Sequence, residues 1–332
     1  MITLNNQKTF IALTALWAFV EAGLGGFLHA LHLPFTGIVL GGFAVLIISL
    51  LAMCYDKPFA KIVQATLIVL AIKAAVNPAT SPFAYLAVGF QGLLGAALYS
   101  IKKNNFIIHF LFATIAMLES AAQKLLVMTL FLGKSFWQGV DGLGKSVAET
   151  FHYTSTTSYS FWLIFLYLGI FFVWGIILAM WMQVLPTQIA NRNLNYQHLQ
   201  AITFAEISTE KKQKSKWRIA SYILIAAGII SFFLPMQKGI STAFIYLLRT
   251  ISILAIWQIF ILPIWQQQIV KWSSKYSSNN SMYASVNALL PSIAIMVRPL
   301  YAEVASQYKG FKKWKEFLLG LMVITLNIDD CK

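Results

Sequence analysis

From Phe161 to Trp181 the chain reads FWLIFLYLGIFFVWGIILAMW, without one charged side chain. Inside hydrocarbon no water is present to pair backbone N–H and C=O groups, so the chain must pair them itself. A run of about 20 apolar residues does this as a helix and is long enough to cross a bilayer. A second run, FLHALHLPFTGIVLGGFAVLIISLLAM, begins at Phe27. Charged residues make up 11% of the 332 positions, whereas a soluble domain carries about 25%. Mean hydropathy is +0.70. The fold class expected is therefore all-α, a polytopic membrane helix bundle. The first hydrophobic block lacks a basic leader and a clear small-residue cleavage site, which predicts a retained helix.

Hydrophobic blocks read against breakers predict eight spans, at approximately 10–28, 35–54, 60–76, 83–101, 105–132, 161–185, 218–235 and 241–263. A shorter apolar stretch, 317–327, follows. Lys and Arg then set the orientation. Lys57 and Lys61 fall in the second connection, Lys102 and Lys103 in the fourth, and Arg192, Lys211, Lys212, Lys214, Lys216 and Arg218 in the sixth. The first and third connections have none, the fifth has Lys134 and Lys145 over a long stretch, and the seventh has only Lys238. Basic residues concentrate on the cytoplasmic side. This alternation predicts a multi-pass protein of the cell (inner) membrane with a cytoplasmic N-terminus, and it accounts for the net charge of +14 without nucleic acid as a partner.

Gly139 to Ser146, GVDGLGKS, fits the phosphate-loop pattern GxxxxGK[ST]. Such a loop needs a strand before it, a helix after it and a nucleotide pool around it. Here KSFWQ precedes it and the orientation puts it outside the cell, so a glycine-rich, mobile outer loop is expected instead. Cys54 and Cys331 have no metal or redox spacing. His29 and His32 lie one helical turn apart and could share a metal with His152 and Glu149, but HxxH alone is a weak signal, and neither a metal nor a cofactor is expected. No triad or paired-carboxylate spacing stands out, so the chain is not expected to be an enzyme.

Ionisable groups inside a membrane are costly unless paired or wetted. Glu21 in the first span, and Glu119 with Lys124 in the fifth, are candidates on that ground. Glu119 and Lys124 could neutralise one another or a ligand. Arg249, inside the eighth span, costs about 2.5–3.5 kcal/mol on insertion scales and needs a partner. The outer connections mix aromatic side chains with hydroxyl, amide and imidazole groups, a combination suited to a small planar ligand. A lipid-interface belt would use the same aromatics.

Two segments of the first half, ALTALWAFVEAGLGGFLHALHLPFTG and NPATSPFAYLAVGFQGLLGAALYS, resemble the substrate-binding S component of energy-coupling factor vitamin transporters. Ala15, Ala18 and Ala22 are similar to the small-residue surface that S components press against their coupling subunit; packing within the bundle is the alternative. The stretch LLPSIAIMVRPLYAEVASQYKGFKKWKEFL resembles a shortened T component, the transmembrane coupling subunit, although Tyr308-Lys309-Gly310 stands where that family has Ala-Arg-Gly. The resemblance implies a six-span S-like domain over 1–187, a basic cytoplasmic linker over 188–217, and a T-like region over 218–332 containing two or three further spans and an amphipathic cytoplasmic coupling segment. It implies convergence of His29, His32, Tyr85, Trp137 and His152, with Glu119 as a further substrate-binding candidate. It also implies a coupling role for Arg298, Glu303, Lys309 and Gly310. The expected partners are separate cytosolic ATPase subunits and a small-molecule substrate. An ion-coupled secondary transporter using Glu21, Glu119 and Lys124, and a non-catalytic membrane scaffold, are the alternatives.

Overall fold

The computed structural model describes residues 6–25, 36–76, 81–102, 105–150, 158–191, 264, 268 and 281–327. Among them every element is helical. Helix α1 spans Asn6–Phe19 and continues as a π-helical segment, Val20–Leu24. There follow α2 (Thr36–Cys54), α3 (Pro58–Val76), α4 (Pro82–Ile101), α5 (Phe106–Thr150), α6 (Tyr159–Asn191), α7 (Ser281–Gln307) and α8 (Gly310–Asn327).

Six of the described helices are long and apolar enough to cross a membrane: α2, α3, α4, the Phe106–Leu130 part of α5, α6 and α7. Five coincide with spans read from the sequence, at 35–54, 60–76, 83–101, 105–132 and 161–185. The spans at 218–235 and 241–263, with Arg249, lie outside the described residues, as does nearly all of the linker. The sixth long helix differs from expectation. An amphipathic cytoplasmic coupling segment is expected in this region, but α7 begins at Ser281, runs unbroken through Pro291 and Pro299, and ends at Gln307.

Local chemistry sets several boundaries. Pro82 opens α4 in its first turn, where its missing N–H costs nothing. Asn105 caps α5, its Oδ1 accepting from the N–H of Ile107 at 2.9 Å. Gly133 interrupts α5 at φ 69° and ψ −166°, and Gly310 turns the chain from α7 into α8 at φ 60°. Side chains with a Cβ rarely adopt that region.

Short connections make consecutive helices antiparallel neighbours, and among the described helices α5 against α6 is the most extensive pairing. Among the described residues, one large apolar cluster joins α1–α6 to α7 and α8. Helix α1 packs against α2, α3, α7 and α8. Ala15, Ala18 and Ala22 are buried in that core, so in this structure they pack inside the chain and do not form an outward face. Where α6 crosses α5, a Cβ on Gly175 would stand 2.8 Å from the Cα of Thr114. Small residues permit such close helix contact where lipid offers no hydrophobic drive for association. By contrast, Phe161, Trp162, Phe165, Leu166 and Val173 on α6 are exposed, as expected of side chains facing lipid.

Candidate functional site

Glu21 lies in the π-helical segment that follows α1, and Lys73 in the last turn of α3. Lys73 Nζ donates to Glu21 Oε2 at 2.6 Å, with the two side chains only 4% and 5% exposed. A charge here without a counter-charge would lose its hydration with nothing in return, so each residue makes the other tolerable. The wider turn of a π segment is a common device at functional sites.

The pair forms part of the wall of a cavity of about 230 Å³. Ser81, Gln91, Ser120, Gln123 and Lys124 add polar groups; Leu40, Phe83, Val88, Val127 and Tyr167 add apolar surface. Because neighbouring helices alternate in direction, the end of α1, the start of α2, the end of α3, the start of α4, the second half of Phe106–Leu130 and the start of α6 all meet at one end of the bundle. The orientation read from Lys and Arg expects this end to be the outer one. Gln91 Nε2 donates to Ser120 Oγ at 3.3 Å, and Gln123 Nε2 to the carbonyl of Phe83 at 2.6 Å. These bonds hold α4 against α5 along the cavity. Lys124 is exposed.

The residues singled out from the sequence fall in several places. Tyr85 is buried in a small cluster with Ala74, outside the cavity lining. Glu119 is half-buried, and its Oε2 has no hydrogen-bond partner among the described residues; no ion pair with Lys124 forms. Trp137 lines a separate open groove with Leu126, Thr129, Ser158 and Phe161, and its Nε1 donates to Thr129 Oγ1 at 3.1 Å. His29, His32 and His152 lie outside the described residues. In the coupling region Arg298 and Lys309 are exposed, Glu303 is half-buried, and Lys309 and Gly310 occupy the α7–α8 turn.

GVDGLGKS is helical throughout, a correction to the expected mobile loop. Helix formation engages the backbone N–H groups that a phosphate loop would turn toward its ligand. Ser146 Oγ donates to the carbonyl of Gly142 at 3.1 Å, and Lys145 lies 4.0 Å from Glu149 with both side chains well exposed. Asp141 has a structural task. Its Oδ1 accepts from Ser158 Oγ at 2.7 Å and from the N–H of Ser160 at 2.6 Å, and its Oδ2 accepts from Ser160 Oγ at 3.2 Å. These bonds, Ser158 first, hold the Asp141 carboxyl below the usual range. Asp141 thus ties the 134–150 arm to the N-terminus of α6.

Lys73 is the main residue that the sequence reading passes over. It lies within the 60–76 span, where the cost argument that singles out Glu21 applies equally. Gln91, Ser120, Gln123 and Tyr167 carry no comparable signal, since each is ordinary in a helix. A second buried polar cluster lies toward the opposite end, where Tyr99 Oη and His109 Nδ1 are 2.8 Å apart and His109 is fully buried.

Comparison of the chain with protein-family models, curated proteins and solved structures finds no match.

Proposed function

We propose that this chain is the substrate-binding and coupling part of a membrane uptake system for a small molecule, a vitamin or related heterocycle, energised by separate cytosolic ATPase subunits as in energy-coupling factor transporters. One observation carries the reading. A cavity with charged, amide, hydroxyl and aromatic walls opens at one end of an apolar bundle, and maintaining buried polar groups there costs stability that simple packing would not require. The packing of α1 against α7 and α8 supports an intramolecular link between binding and coupling regions. The exposed Lys309-Gly310 turn supports contact with a further subunit.

Reconstitution tests this. Protein in liposomes should take up its co-purifying small molecule only with cytosolic ATPase subunits and ATP. Lys309→Glu should abolish that uptake while leaving binding intact. Uptake driven by an ion gradient alone would overturn the ATPase assignment in favour of an ion-coupled carrier, a reading that the buried Glu21–Lys73 pair in the cavity wall also supports. Absence of any ligand and any uptake would leave a membrane scaffold.

A further inference from the structure

Among the described residues, the charges around the cavity do not cancel. Glu21 and Lys73 neutralise one another at 2.6 Å, which leaves Lys124 as an uncompensated charge among the lining residues. Lys124 makes no ion pair among the described residues, and Glu119, five positions earlier on α5, is not part of the lining. The first turn of α4 adds to the same sign. Ser81, Phe83 and Ala84 border the cavity, and Ser81 makes no side-chain cap to the helix N-terminus. The positive end of a 20-residue helix therefore lies beside the opening. Leu40, Phe83, Val88, Val127 and Tyr167 add apolar and aromatic surface to the same lining.

From this arrangement we infer that the cavity takes a small organic monoanion, a carboxylate on a flat or apolar body, with Lys124 as the residue that selects for the charge. The carboxylate pairs with Lys124 near the mouth, where water still reaches it, and the apolar body lies against Phe83 and Tyr167. The Glu21–Lys73 pair contributes a polar but neutral wall, so one negative charge on the ligand suffices. A cationic or zwitterionic ligand would bring an ammonium group toward Lys124, with no free carboxylate among the described lining residues to receive it.

The inference rests on the cavity being the ligand site, and the experiment separates the two claims. Purified full-length protein is titrated by calorimetry with benzoate, phenylacetate, indole-3-acetate and hexanoate, each paired with its own amide. At least one acid should bind at least tenfold more tightly than its amide. Lys124→Gln should remove that preference, and Lys124→Arg should retain it. Amides that bind as tightly as acids, or a preference unchanged in Lys124→Gln, would overturn the anion class while leaving the cavity a small-molecule site. Failure of every acid and every amide to bind would overturn the class and count against the binding reading as well.

Discussion

Lys73 on α3 and Glu21 in the π-helical segment after α1 meet at 2.6 Å, 52 positions apart in the chain and almost entirely out of solvent. Neither residue can be removed alone without leaving a buried charge uncompensated. Glu21→Gln or Lys73→Met should each destabilise the protein by about 3–5 kcal/mol, the usual cost of breaking such a pair. The double variant should recover much of that loss, because both charges then leave the interior together. Unfolding midpoints of the detergent-solubilised protein measure this; additive losses would mean that the pair is not coupled.

The Asp141 clasp should respond to acid. Its carboxyl is held below the ordinary range by the bonds from Ser158 and Ser160, so the folded arm favours the ionised form. The clasp's contribution is fully present above the ordinary Asp value of about 3.9 and is lost as pH falls through the lowered folded value. A spin label at Gly139→Cys, an open position, should report an immobile arm at neutral pH and a mobile one in strong acid. In an Asp141→Ala background it should be mobile at both.

Helix contact should depend on particular glycines. Gly175→Ala places a methyl 2.8 Å from the Thr114 backbone, a group that cannot rotate away, and should cost about 1–3 kcal/mol. Gly89→Ala meets nothing within 4 Å and should be neutral or stabilising by about 0.5–1 kcal/mol, the helix preference of Ala over Gly. Thermal unfolding of the two variants provides the comparison; equal losses would contradict the close α5–α6 contact.

Labelling tests the orientation. In a background with Cys54→Ser and Cys331→Ser, Gly142→Cys should react with a membrane-impermeant thiol reagent in intact cells. Lys57→Cys, in the exposed α2–α3 connection, should not. The opposite pattern would invert the topology and place the polar cavity on the cytoplasmic side.

Much of the helical architecture was legible along the chain because hydrocarbon leaves a backbone so few options. Uninterrupted apolar length, as from Phe161 to Trp181, already specifies a helix whatever packs beside it, and five spans follow from that rule. Pro82, Asn105 and Gly310 act within a few residues of themselves, so their turns and caps are likewise local. Glu21 stood out for the same reason: its cost comes from its surroundings in the span.

What tertiary structure decided was association. That Lys73 answers Glu21, that Gln91 faces Ser120, and that Tyr85 and Trp137 lie away from the cavity all depend on helix rotation and depth, which no single helix determines. The 134–150 arm shows the same limit. Its glycines read as a loop, yet the arm is helical, and Asp141 ties it to Ser158 and Ser160 at the start of the next helix. Backbone satisfaction is a property of each segment, so sequence reveals it. Pairing of charges and shaping of a cavity belong to several helices at once, and they exist only when those helices meet.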